Sequence, residues 1–235
     1  MRCPNGSEQP AVARNCAGGG AADMLERHAL PVDQAAPLAV AVGKTSQVSK
    51  HAASEPVVGD PLDPTTDVGP LVNNAQRDEI EGQVKDAVAK GAKVEVGGKR
   101  GRRTGWYFEP TLLSHVTKAM RVLREETFGP VAPVMAVPDL HTAIEEANDS
   151  EFGLGASLWT QDLGQAEELA AQVESGMVFI NGVVKSDPRM PFGGVKHSGV
   201  GRELSRYGLL EMVNIKTVEI FPGHSGQAAI QKNTE

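Results

Sequence analysis

From Val58 onward the hydrophobic positions keep switching between a helical and an extended period, and each switch marks an element. Ile80, Val84, Ala87 and Val88 fall on one stripe of a helix opening at Asn73 or Asn74. That helix runs to about Lys90, and Gly91 stops it. Lys93 to Val96 reads as a short strand, and Trp106 to Val116 as extended chain broken at Pro110. Val131 to Val137 is β-rich and alternating. Asp139 then caps a helix with Leu140, Ala143, Ile144 and Ala147 on one face. Leu154 to Trp159 is a strand, and Asp162 with Gln165 gives the capping-box pattern of a helix ending at Gly176. Met177 to Ile180 is a strand, a helix runs from about Arg202 to Met212, and Asn214 to Ile220 alternates like a strand. Strands and helices in this order predict an α/β fold on a parallel sheet, with ligands at the carboxyl ends of its strands.

Residues 1–57 have another character. They are rich in Ala, Gly, Pro and Ser, with little periodicity beyond short pieces such as Ala21 to Ala29. Such a composition predicts a disordered segment, and the tail 222–235 is read as flexible. Gly43-Lys44-Thr45 has the ending of a phosphate-binding loop, but that loop needs glycine where Leu38 stands.

At 235 residues and 24.8 kDa, with 40% hydrophobic residues, the chain holds one large domain or two small ones. A net charge of -7 speaks against a nonspecific grip on nucleic acid or anionic membrane. No apolar run approaches the ~20 residues of a membrane span, and no secretory signal opens the chain. Cys3 and Cys16 are the only cysteines, so neither a disulfide framework nor a zinc site is expected. These features point to a soluble cytoplasmic protein without bound metal.

Two stretches offer chemistry. The first is Leu123-Arg124-Glu125-Glu126-Thr127-Phe128-Gly129-Pro130, a turn feeding directly into a strand. It fixes a carboxylate that can accept from a ribose hydroxyl beside a ring that can face a flat heterocycle; as local pattern alone it better suits a loop of solvated acids with one core phenylalanine. The second is Pro191-Phe192-Gly193-Gly194-Val195-Lys196-His197-Ser198-Gly199-Val200-Gly201-Arg202-Glu203, with four glycines in nine positions. Its spacing matches neither glycine-rich phosphate motif, and His197 has no acid beside it in sequence. Lys99, Arg100, Arg102 and Arg103 form a basic loop, read as solvated because no aromatics or helix start accompany it.

Gly59-Asp60-Pro61, Asp67-Val68-Gly69-Pro70, the Glu125 to Pro130 turn and the Pro191 to Glu203 loop follow in the order and spacing of the NAD(P)-dependent aldehyde dehydrogenase superfamily. Val178-Phe179-Ile180-Asn181 and Asn214 to Val218 resemble it too, and Ser186-Asp187-Pro188-Arg189 resembles its succinate-semialdehyde dehydrogenase branch. The resemblance covers Val58 to Phe221. It implies that Glu126 holds the ribose on the nicotinamide side of NAD or NADP and that Phe128 lies against the nicotinamide. Phe192 would stand near the aldehyde pocket, and Ser186 would contact the distal carboxylate of the substrate. In that chemistry a cysteine thiolate attacks the aldehyde, hydride leaves for the cofactor, and glutamate-activated water hydrolyses the thioester.

The resemblance places that cysteine about thirty residues before Gly59, near Ala29, where this chain has none. The general base, the oxyanion asparagine and nearly all of the dinucleotide-binding domain belong upstream of that point, so no catalytic residue is assigned. The expected organisation is a non-matching or frame-shifted segment 1–57, a partial catalytic domain 58–212, an oligomerisation-type strand 213–221 and a flexible tail. As an enzyme the chain would oxidise a small aldehyde, succinate semialdehyde, with NAD(P), yet be inactive alone. The alternative is a non-catalytic remnant that acts by oligomerising with an intact relative.

Overall fold

The computed structural model describes residues 11–15, 38–42, 56–160 and 162–221, the first two stretches by backbone alone. Cys3, Cys16, Ala21 to Ala29, the Gly43-Lys44-Thr45 sequence and the tail 222–235 lie outside the described residues. The strands are β1 Ala11–Asn15, β2 Leu38–Val42, β3 Lys93–Val96, β4 Thr111–Ser114, β5 Val131–Val137, β6 Phe152–Gly153, β7 Gly155–Trp159, β8 Met177–Ile180 and β9 Val195–Lys196. The helices are α1 Asn74–Ala89, α2 Arg121–Arg124, α3 Leu140–Asn148, α4 Leu163–Ala170 and α5 Ser205–Glu211.

Seven strands form one sheet in the order β3-β4-β5-β2-β1-β7-β8, and β6 pairs with β9 beside it. The parallel pattern holds for β4 with β5, β5 with β2 and β7 with β8. β1 runs antiparallel to both its neighbours, and β3 closes the edge antiparallel to β4. The two middle strands come from the segment expected to be disordered. That expectation does not extend to Ala11–Asn15 and Leu38–Val42, whose backbones fill the gap between β5 and β7. An unfilled gap there would leave ladder groups of two strands unpaired, and edge pairing satisfies them without demanding a patterned sequence.

Three helices begin where capping chemistry puts them. The side chains of Asn73, Asp139 and Asp162 accept from the backbone N–H groups of Gln76, Thr142 and Gln165. Helix α1 buries Ile80, Gln83, Val84 and Ala87, while Val88 of the expected stripe turns outward. Ile80, Val84 and Ala87 join Leu71, Phe108, Leu113, Val131 and Met135 in the core cluster, which continues under α3 through Ala143, Ile144 and Ala147.

Three boundaries differ from the sequence expectation. Helix α4 ends at Ala170 rather than Gly176, because Asn148 donates to Gln172 O and accepts from Glu174 N, drawing that stretch out of helical register. Helix α5 starts at Ser205 rather than Arg202, since Leu204 and Ser205 both have positive φ. Asn214 to Ile220 is not a strand. It runs exposed, with Ile215, Val218, Ile220 and Phe221 open to solvent, and no strand among the described residues of this chain pairs with it. No helix among the described residues is long and apolar enough to cross a membrane.

Candidate functional site

The Glu125 to Pro130 turn sits at the amino end of β5, and its shape is fixed from beneath by α1. Gln83 is buried there. The Thr127 hydroxyl donates to Gln83 Oε1 at 2.6 Å, and Gln83 Nε2 donates to the Glu126 carbonyl at 3.4 Å and to Glu125 Oε2 at 3.3 Å. Gly129 lies over Ile80, and a Cβ added at Gly129 would stand 2.1 Å from Ile80 Cδ1. Glycine thus lets the turn approach the helix closely without displacing the Ile80 side chain. Glu125 turns away to Arg121, whose guanidinium holds its carboxyl below the usual carboxylate range.

Between these anchors the turn presents two side chains. Glu126 is half-buried, and burial pushes its carboxyl above the ordinary value. Among the described residues no donor reaches its carboxylate; only its backbone carbonyl is engaged. Phe128 is 39% exposed although its neighbours Thr127 and Gly129 are buried. A half-desolvated carboxylate without a donor, beside an open aromatic face, fits the hydroxyl-bearing sugar and flat ring of a nucleotide.

The stretch just upstream is pinned as well. Arg124 and Lys118 both pair with Asp149 beyond the end of α3, and together they lower its carboxyl from 3.8 to about 2. A depressed folded-state value means stability that is present above the ordinary carboxylate range and lost as pH falls through about 2. Asp149→Asn is expected to cost less than about 1 kcal/mol at neutral pH, because the pair is partly exposed and screened. The difference from the parent should shrink as a pH series of chemical denaturations descends below about 4.

Phe192 belongs to a second wall. Its backbone exchanges two hydrogen bonds of 2.8 Å with Glu203, which joins the ends of the glycine loop. Gly176, directly before β8, packs on this loop so tightly that a Cβ there would lie 1.8 Å from the Gly193 carbonyl oxygen. Gly194 is shaped by Ser198, whose Oγ accepts from the Gly153 N–H at 2.9 Å. His197 is exposed. An acid partner that sequence proximity did not show, Glu151, approaches it at 3.7 Å, and Phe152 meets its ring edge-on at 6.3 Å. Ser186 is exposed on the loop between β8 and Phe192, next to the Asp187–Arg189 pair, which holds the Asp187 carboxyl far below its usual range.

Glu126, Phe128 and Phe192 lie at the amino ends of strands, not the carboxyl ends, while Ser186 follows the carboxyl end of β8 on a loop that folds back. Glu126 and Phe128 lead into β5. The contact of Gly176 with Gly193 brings Phe192 to the start of β8, and the approach of Gly155 to Val184 brings the chain before Ser186 to the start of β7. The carboxyl ends of β5 and β7 run almost at once into capped helices, which leaves no loop there to build a site. The two walls are not joined by a hydrogen bond or ring contact among the described residues. β5 and β8 stand four places apart, about 19 Å at the usual ~4.8 Å strand spacing. Gln83 escaped the sequence reading, and only its place on the inner face of α1, one residue before Val84, could have signalled it.

The family model described as "Aldehyde dehydrogenase family" matches residues 43–218. The chain belongs to the aldehyde dehydrogenase family. The match begins upstream of Val58, where the recognisable motifs start, and includes both walls. Among aldehyde dehydrogenases, succinate-semialdehyde dehydrogenase (NADP(+)) 1 of Mycobacterium ulcerans is 51% identical over 161 residues, covering 68% of this chain and 35% of that protein. An aldehyde dehydrogenase of Paenarthrobacter nicotinovorans is 52% identical over 165 residues, covering 70% and 36%. The crystal structure of succinic semialdehyde dehydrogenase from Streptococcus pyogenes in complex with NADP+ superposes with a TM-score of 0.69 at 38% identity, over 72% of this chain and 37% of that one. The chain thus spans about a third of the length of the aldehyde dehydrogenases it matches.

Proposed function

We propose that this chain carries the nicotinamide-side wall and part of the substrate pocket of a NAD(P)-dependent aldehyde dehydrogenase that oxidises succinate semialdehyde to the acid, and that the chain alone does not turn over. The observation that carries this reading is the Glu126 carboxylate, half-buried and without a donor beside the open ring of Phe128. Glu126 would accept from ribose hydroxyls and Phe128 would stand against the nicotinamide; Phe192 and Ser186 would flank the aldehyde and its distal carboxylate. The cofactor, when bound, supplies the hydride acceptor. The relatives support the substrate and cofactor classes, two of them being named succinate-semialdehyde dehydrogenases and one of these being complexed with NADP+.

Inactivity of the chain follows from its thiols. The reaction needs a thiolate within reach of the aldehyde, and Cys3 and Cys16 both lack the sequence setting that the nucleophile requires. Incubating the purified chain with succinate semialdehyde and NADP+ is expected to produce no NADPH; turnover would overturn this part of the proposal. The cofactor role has its own readout. Nicotinamide mononucleotide titrated into the chain should shift the amide resonances of Glu126 to Phe128. Glu126→Gln, whose carbonyl still accepts, should weaken that binding by roughly fivefold, about the difference between a charged and a neutral hydrogen bond. Shifts elsewhere only, or an unchanged midpoint in the variant, would count against the assignment.

A second reading rests on the exposed apolar run Val213 to Phe221. A segment of this kind is a surface for a partner, and the chain would then act as a non-catalytic subunit, with a second copy or an intact relative. Light scattering after size exclusion separates the readings: a monodisperse monomer, alone and when mixed with an intact relative, is incompatible with the partner role.

A further inference from the structure

The loop from Lys99 to Gly105 looked like a solvated basic stretch without aromatic company. In the fold it overhangs a cavity of about 450 Å³, lined among others by Gly97, Gly101, Arg102, Arg103, Tyr107 and Glu109. Tyr107 is buried and packs under the loop, close to Gly101 and Gly105. The cavity lies beside β3 and the amino end of β4, where the Thr111 N–H donates to the Pro130 carbonyl at 2.7 Å, on the edge side of the Glu125 to Pro130 turn.

The loop is held rigidly. Arg100 donates to Glu81 at 2.7 and 3.1 Å and to Asp78 at 2.7 Å, tying one end to α1. Arg77 donates to the Gly105 carbonyl at 2.9 Å and ties the other. In between, Gly101 N–H donates to the Tyr107 carbonyl at 3.0 Å. Gly97, at positive φ, passes so near the Pro110 carbonyl that a Cβ there would meet it at 2.1 Å.

Two adjacent cations of this lining are unpaired, as Arg206 and Lys216 are elsewhere among the described residues. Lys85, Lys90, Lys93, Lys99, Arg100, Lys118, Arg121, Arg124, Arg189 and Lys196 each have a carboxylate partner. Arg102 and Arg103 have neither hydrogen bond nor ion pair among the described residues, although Arg103 helps at longer range to hold the Asp63 carboxyl down. Two adjacent guanidinium forks on a pinned loop match the oxygens of a dianionic tetrahedral group. Glu109 lies in the same lining, its charge shared with Lys99 at 3.8 Å. It can accept from a hydroxyl but would repel a second anion. The volume falls within the range of small-molecule pockets, larger than bare phosphate requires.

We infer that this cavity binds a phosphate monoester carried on a small hydroxylated body. The arginines take the phosphate, Glu109 accepts from a hydroxyl, and the Tyr107 side forms the floor. With the loop ends tied by Arg100 and Arg77, the ordering required on binding falls on the two arginine side chains.

Calorimetric titration of the full chain with ribose 5-phosphate, inorganic phosphate and ribose tests this. Ribose 5-phosphate is expected to bind more tightly than inorganic phosphate, and ribose not measurably. Arg102→Gln with Arg103→Gln should weaken ribose 5-phosphate by at least about tenfold; Arg102→Lys with Arg103→Lys, keeping charge but losing the fork, should weaken it by several-fold. The charge-matched pair Arg206→Gln with Lys216→Gln should bind like the parent. Equal binding of ribose 5-phosphate and inorganic phosphate overturns the inference. So does parent-like binding by the Gln pair at 102 and 103, or equal loss in the charge-matched pair. Both arginines are exposed, so the melting temperature should not move and serves as the folding control.

Discussion

Gln83→Ala is expected to lower the unfolding free energy by about 3 kcal/mol, more than its polar character suggests. Gln83 is 1% exposed, and its amide satisfies the Thr127 hydroxyl and the Glu126 carbonyl together. Truncation leaves a buried hydroxyl without its acceptor and opens a void under the turn. The two costs fall on one site, because Gln83 is the buried polar contact between the helix and the turn. Gln83→Glu is expected to be worse than its shape implies. A carboxylate there cannot donate to the Glu126 carbonyl and faces Glu125 directly. Chemical denaturation of both variants measures this, and a loss below about 1 kcal/mol for Gln83→Ala would show that the turn holds its shape without the brace.

Gly176→Ala should cost about 3 kcal/mol or more, and the damage should appear at the second wall. The added methyl would lie 1.8 Å from the Gly193 carbonyl oxygen and 2.8 Å from its carbon, a contact of backbone with backbone that no rotamer relieves. The loop must move, and with it the paired amides of Phe192 and Glu203. Hydrogen exchange at those two amides should speed up while the amides of β4 and β5 keep their protection. Gly182→Ala is the control, since its nearest neighbour would be 3.9 Å away and its stability should change by less than about 0.5 kcal/mol. Equal stability of the two alanine variants would contradict the packing described here.

What the sequence disclosed followed from local chemistry. Asn73, Asp139 and Asp162 cap helices because a short polar side chain next to an apolar period is a signal contained within a few residues. The turns that carry Glu126, Phe128 and Phe192 stood out through their glycines and prolines, while the roles of these side chains came from the family resemblance and not from local chemistry. What stayed hidden depends on distant partners. Asn148 ends α4 from another element. Tyr107 reaches under a loop whose basic residues precede it in sequence. β1 and β2 have no period strong enough to declare them strands, yet the open ladder groups of β5 and β7 recruit them. Asn214 to Ile220 shows the converse, a strand-like alternation with no ladder to join.

The sheet order also constrains how the two walls can be tuned. Neighbouring strands keep a nearly fixed separation because hydrogen-bond length sets it. The interval between the Phe128 turn on β5 and the loop seated on β8 is therefore counted in whole strands. Side-chain substitutions can alter what each loop presents, but shifting one loop against the other by a full sheet interval requires a strand to be added or lost, so the distance between them changes as a step and not as a gradient.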